Sequence, residues 1–145
     1  MFEVSGLMPI SCVREGVLAK TKEFTIAVEN RPGAVAEIAR TLGEAKVNML
    51  ALSGIAQGTS GTVQLVAEDS RRAKKALDEA KLSYQETAAE EYELPNKAGA
   101  LPLYSEKLAT KGVNLNSIYA TAAKGGKKAV VVYAAEAEAN ASIAA

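Results

Sequence analysis

The stretch "ENRPGAVAEIARTLGEAKVNML", Glu29 to Leu50, is repeated in outline by "PNKAGALPLYSEKLATKGVNLN", Pro95 to Asn116. Each carries Asn-x-x-Gly-Ala, continues as an apolar periodic run, and closes on Val-Asn. One offset of 66 residues joins Asn30 to Asn96, Gly33 to Gly99, Ala34 to Ala100, Leu42 to Leu108, Val47 to Val113 and Asn48 to Asn114. Scattered coincidence does not place six identities on one gapless offset, so the chain contains an internal duplication. Conservative pairs extend it: Arg31 with Lys97, Val35 with Leu101, and Leu65 and Val66 with Val131 and Val132.

Each copy reads as the same series of elements. "EFTIAV" (residues 23–28) alternates with Phe24, Ile26 and Val28 on one face, the period of a strand. Val35, Ile38, Ala39 and Leu42 follow at helical spacing. "VNMLALSGI" and "TVQLVAE" read as strands flanking the turn "QGTSG", which "KGGKK" replaces at the same offset in the second copy. "SRRAKKALDEAK" reads as a helix capped by Ser70, with Ala73, Ala76, Leu77 and Ala80 inward, and "LSYQETA" as a last strand. The second helix stripe is Leu101, Tyr104, Ser105 and Leu108, and Pro102 sits in the first turn, where a missing N–H costs little. Strand, helix, strand, strand, helix, strand is the α+β, ferredoxin-like βαββαβ order.

The expected organisation is an N-terminal extension over residues 1–22, a first copy over 23–88 and a second over 89–145 that lacks its last strand. The extension could supply the missing strand through "MFEVSGLMPI", or be a frayed tail. Around "TAAEEYEL" the last strand of copy one runs almost directly into the first strand of copy two.

Composition narrows the function. The 17 basic and 17 acidic residues cancel, so no electrostatic footprint for nucleic acid or an acidic membrane is evident. There is no histidine, the commonest general base and transition-metal ligand, and Cys12 is the only cysteine. No apolar run approaches the ~18 residues of a membrane span. Glu3, Arg14 and Glu15 break any signal-peptide core, so a cytoplasmic location is expected. The third-strand segment "TVQLVAE" lacks the base-stacking aromatics of an RNA-recognition module, and the first loops lack the paired cysteines of a metallochaperone. The "GGK" of the second hairpin lacks phosphate-loop spacing. The basic run "RRAKK" is a solvated helix face. The expectation is a non-enzymatic protein with no cofactor and no metal.

The doubled loop is the candidate site. Gly33 and Gly99 stand where strand turns into helix, and a missing Cβ lets backbone N–H groups face a ligand. The first amides of a helix lack intrahelical partners and favour a carboxylate. Asn30 and Asn96 can both donate and accept, which suits a zwitterion; the alternative is that each Asn caps its helix and each Gly only turns the chain. Substituting valine at Gly33 and Gly99 is expected to weaken ligand binding more than the fold. Asn48 and Asn114 could contact a ligand or end the helix-to-strand turn.

"VENRPGAVAEIARTLGEAKVNMLAL" and "ELPNKAGALPLYSEKLATKGVNLNSI" resemble the ACT domain family of small-molecule sensing modules, over roughly residues 23 to 145. The resemblance implies amino-acid binding, allosteric regulation and assembly through sheet edges or paired helices. The candidate ligand residues are Asn30, Arg31, Pro32, Gly33, Ala34, Val35 and Asn48 in copy one. In copy two they are Asn96, Lys97, Gly99, Ala100, Leu101 and Asn114. Copy one, with the fuller loop, ranks first. A homodimer is expected, because "VNMLALSGI" is long and apolar for an edge strand. Output would pass through a regulated protein partner. The alternative is an interaction and oligomerisation module of the same fold that binds no ligand.

Overall fold

The computed structural model describes residues 17–135. The strand expected in residues 1–10, Cys12, and the partial helix of copy two around Ile143 lie outside the described residues. The described elements are β1 (Val17–Glu29), α1 (Ala34–Glu44), β2 (Met49–Gln57), β3 (Ser60–Ala67), α2 (Ser70–Glu79), β4 (Tyr84–Pro95), α3 (Ala100–Thr110), β5 (Leu115–Thr121) and β6 (Lys128–Ala135). This is the α+β, repeated ferredoxin-like arrangement, with one copy missing a strand.

The chain divides into two compact units, residues 21–88 and residues 17–20 with 89–135. In the first unit the strand order is β2-β3-β1-β4, that of a whole βαββαβ fold. In the second the order is β1-β4-β6-β5, so the opening residues of β1 stand where a fourth strand would lie. β1 is longer than residues 23–28 for this reason, and β4 runs unbroken through the segment where one copy gives way to the next.

The 66-residue offset does not survive the hairpin. Glu29 pairs with Ser60 in copy one, whereas Pro95 pairs with Lys128 in copy two. Beyond the turn the offset is therefore 68, and Leu65 corresponds to Tyr133 rather than to Val131. Side chains alternate faces with a period of two, so a two-residue insertion in the β5–β6 loop leaves every inward position inward. An odd insertion would have turned the third strand inside out.

The helices bury slightly different stripes from those expected. Ala34, Ile38 and Leu42 are buried on α1, and Ala100, Tyr104 and Leu108 on α3. Val35 and Leu101, expected in the core, are 44% and 43% exposed. Starting the stripe one residue earlier rotates it by about 100° and turns these two side chains toward the loop. The cap of α2 is Asp69, whose Oδ1 accepts the Arg72 N–H at 3.1 Å; Ser70 is instead the first helical residue.

The two cores are built differently. In the first unit Phe24, Ile26, Ile38 and Leu65 pack with Ala73 and Leu77 of α2. The corresponding places in the second unit hold Glu90, Tyr92, Tyr104 and Tyr133. Tyr92 and Tyr133 both donate their hydroxyls to Glu90 Oε2, and the rings of Tyr92 and Tyr104 lie 5.1 Å apart. The hydroxyl of Tyr104 is buried without a partner among the described residues. Duplication has preserved the backbone while exchanging an apolar quartet for three tyrosines and a glutamate.

Candidate ligand-binding site

The loop from β1 to α1 is fixed by the turn of the next hairpin. Asn30 donates its backbone N–H to Thr59 C=O at 3.0 Å and its side-chain Nδ2–H to Gly58 C=O at 2.8 Å. Asn96 makes the same pair of bonds, to Lys127 C=O at 2.9 Å and Gly126 C=O at 2.8 Å. Neither asparagine caps its helix. Gly33 and Gly99 occupy the N-cap positions, both with φ of 90°, a conformation that L side chains resist. The motif is thus read out in full: the Asn ties loop to hairpin, and the Gly supplies the left-handed residue that aims the chain into the helix.

This geometry opens a concavity of about 340 Å³ between the loop and the sheet of the first unit. Val28, Gly54, Ala56, Gly61 and Val63 contribute from the strands, and Asn30, Arg31, Gly33, Ala34, Val35 and Ala36 from the loop and first helical turn. Ala34 N–H donates to Arg31 C=O, and the helical ladder begins with Glu37 N–H on Gly33 C=O. The amides of Val35 and Ala36 lie between these bonds and belong to the helix's unpaired first turn. At the mouth, Arg31 is paired with Glu37 at 2.8 Å and lies 3.5 Å from Glu29. The hydrogen bond and charge of Glu37 raise the Arg31 pKa further.

The second unit has a smaller counterpart of about 220 Å³, lined by Leu94, Asn96, Lys97, Ala100, Leu101, Ala120, Ala129 and Val131 among others. Its differences follow from four exchanges. Ala120 and Ala129 put methyl groups where Gly54 and Gly61 have none. Pro102 replaces Ala36 and removes one free amide. Leu103 replaces Glu37, so Lys97 has no counterpart of the Arg31–Glu37 pair.

Most of the residues expected at the site are brought together, but not all. Pro32 and Gly99 shape their loops without lining the concavities. Asn48 and Asn114 stand at the far ends of β2 and β5 from the hairpin turns. Asn48 is bonded there to Glu68, through Nδ2 to Oε2 at 3.3 Å and through its C=O to the Glu68 N–H at 2.9 Å. The floor residues Val28, Gly54, Ala56, Gly61 and Val63 were not expected. Gly54 carried a readable signal, since a lone glycine inside a strand often marks a close approach. No cluster of three or more potential metal ligands occurs among the described residues, and no described helix is long and apolar enough to cross a membrane.

No protein-family model matches the sequence, and no curated protein does. Solved structures do match. The chain is similar to protein BT0572 from Bacteroides thetaiotaomicron, with 25% identity and a TM-score of 0.74 over 86% of this chain and 84% of that one. It is similar to the ligand-free regulatory subunit of aspartate kinase from Thermus thermophilus, with 17% identity and a TM-score of 0.63 over 88% and 91% of the two chains. The corresponding subunit from Thermus flavus gives 17% identity and a TM-score of 0.53 over 89% and 97%. At these identities the aspartate kinase subunits establish a shared fold.

Proposed function

We propose that the chain is a non-enzymatic regulatory module of the ACT type, which senses an amino acid at the concavity of the first repeat. The observation that carries this reading is the meeting of unpaired helix amides, a polar loop and an apolar floor in one small cavity. The amides of Val35 and Ala36 would receive the ligand carboxylate, and the Oδ1 of Asn30, whose Nδ2 is held by Gly58, would accept from its ammonium. Arg31, Pro32, Gly33 and Ala34 hold the loop in shape. Lys97, Ala100 and Leu101 play the matching parts in the second repeat, with Asn96 and Gly99 as its loop anchors. Asn48 and Asn114 serve the helix-to-strand turn. The aspartate kinase subunits that share the fold are regulatory, which supports this reading, and a regulated protein partner would carry the output.

A thermal-shift screen of the twenty amino acids tests the reading. A ligand at one hundred times its Kd is expected to stabilise the protein by ~2.7 kcal/mol, and a flat response to all twenty removes the proposal.

The exposed side chains of β2 favour a second element, pairing of two copies. Leu50, Leu52 and Ile55 are 42%, 40% and 61% exposed on a strand that ends the first unit's strand order. An apolar edge of this kind is stabilised by a partner strand. Light scattering is expected to report a dimer at tens of micromolar; a monomer at that concentration counts against pairing and against an interaction module that acts through this edge.

A further inference from the structure

We infer that the first-repeat concavity takes one amino acid per chain, with an uncharged aliphatic side chain, and that the second-repeat concavity does not take the same ligand. The inference rests on the amino-acid reading above and narrows it to a ligand class and a stoichiometry. The floor under the loop is made by Val28, Ala56 and Val63, with the bare backbone of Gly54 and Gly61 beside them. Its charged lining residues, Glu29 and Arg31, are both at the mouth. The Arg31 guanidinium is already held by Glu37 at 2.8 Å, and the Glu29 side chain is 83% exposed. An ionised ligand side chain entering this floor would lose water and find no partner, a strongly unfavourable exchange. An aliphatic side chain meets a floor whose side chains are mostly apolar, with Thr62 the uncharged polar one among the strand residues.

The mouth also selects for the ligand's other end. Glu29 and Glu37 carry two negative charges against the single positive charge of Arg31. A simple carboxylic acid would bring a further uncompensated negative charge to this rim. A zwitterion brings its own ammonium, which the surplus carboxylate favours. The second repeat differs at both places. Its floor is narrowed by the methyl groups of Ala120 and Ala129, its first turn has lost an amide to Pro102, and its rim keeps Lys97 without the carboxylate that Glu37 supplies in the first.

Titration calorimetry of the full chain with leucine, isoleucine, valine, alanine, aspartate, lysine and 4-methylpentanoate decides the matter. The expected result is saturation at one equivalent per chain by a branched aliphatic amino acid. Alanine is expected to bind roughly tenfold to a hundredfold more weakly, from the lost apolar contact. Aspartate, lysine and 4-methylpentanoate, the leucine analogue without an ammonium, are expected to show no saturation at concentrations where the aliphatic ligand is complete. Aspartate or lysine binding as tightly as the best aliphatic ligand overturns the inference while leaving amino-acid sensing in place. Two equivalent sites per chain overturn it as well. Silence from all twenty amino acids in the thermal screen removes the parent reading and this one together.

Discussion

Gly54→Val is expected to abolish the response to the amino-acid ligand while leaving the protein as stable as the wild type or slightly more so. Gly54 lies in mid-strand, its φ is not positive, and a Cβ at this position would meet nothing within 4 Å. The added side chain therefore starts from open space and is expected to project into the concavity that Gly54 lines. Valine is also the better strand former, by up to about 1 kcal/mol. A ligand-induced stabilisation of ~2.7 kcal/mol at saturating ligand is expected to fall to zero. Ala120→Val, the same change in the second repeat, is expected to leave that response intact. Denaturant unfolding with and without ligand reads both quantities at once; a Gly54→Val protein that keeps its ligand shift places the ligand elsewhere. This variant separates binding from folding better than valine at Gly33 or Gly99. Both of those glycines have φ of 90°, so a β-branched residue there strains the backbone by about 1–3 kcal/mol whatever the ligand does.

The second large effect is alkaline unfolding, driven by the tyrosines of the second core. Burial, followed by the hydrogen bond to Glu90, pushes the Tyr92 phenol up to about 12. Burial raises Tyr133 and Tyr104 as well, with Glu90 adding to the shift of Tyr133. In the unfolded chain each phenol titrates near pH ~10. Above that pH the unfolded state releases protons that the folded state retains, so stability falls as pH rises through the window from about 10 to about 12. Each tyrosine held neutral contributes at most about 1.4 kcal/mol per pH unit, with Tyr92 giving less because it is half-buried. Two or three such groups are enough to unfold a domain of ordinary stability. Denaturant midpoints measured at pH ~9, ~10 and ~11 are expected to drop steeply across the last interval. Tyr104→Phe is expected to flatten that slope and to stabilise the protein at neutral pH by about 1 kcal/mol, since it removes a buried hydroxyl that has no partner among the described residues. Midpoints that stay level across the interval would show that the cluster is solvated and the core is not as described.

The duplication, the element order and the loop motif were legible in the sequence because each is written locally. A fixed offset needs no third dimension, a strand and a helix differ in the period of their apolar residues, and Asn-x-x-Gly-Ala names the two residues that a tied, left-handed loop requires. Three things were decided only by tertiary structure. The change of offset from 66 to 68 is invisible to a periodic reading, because a two-residue insertion keeps the inside-outside alternation of the strand; the pairing of Pro95 with Lys128 reveals it. Val35 and Leu101 carry core-type side chains at helical spacing, and only the helix's rotation against the sheet turns them toward the loop. The site itself is assembled from residues on three strands, so Val28, Gly54 and Val63 meet Asn30 and Val35 only once the hairpin has folded back. The sequence specified which loop would be special and why. The floor beneath it, and with it the difference between the two repeats, depended on which strand positions the sheet brought under each helix.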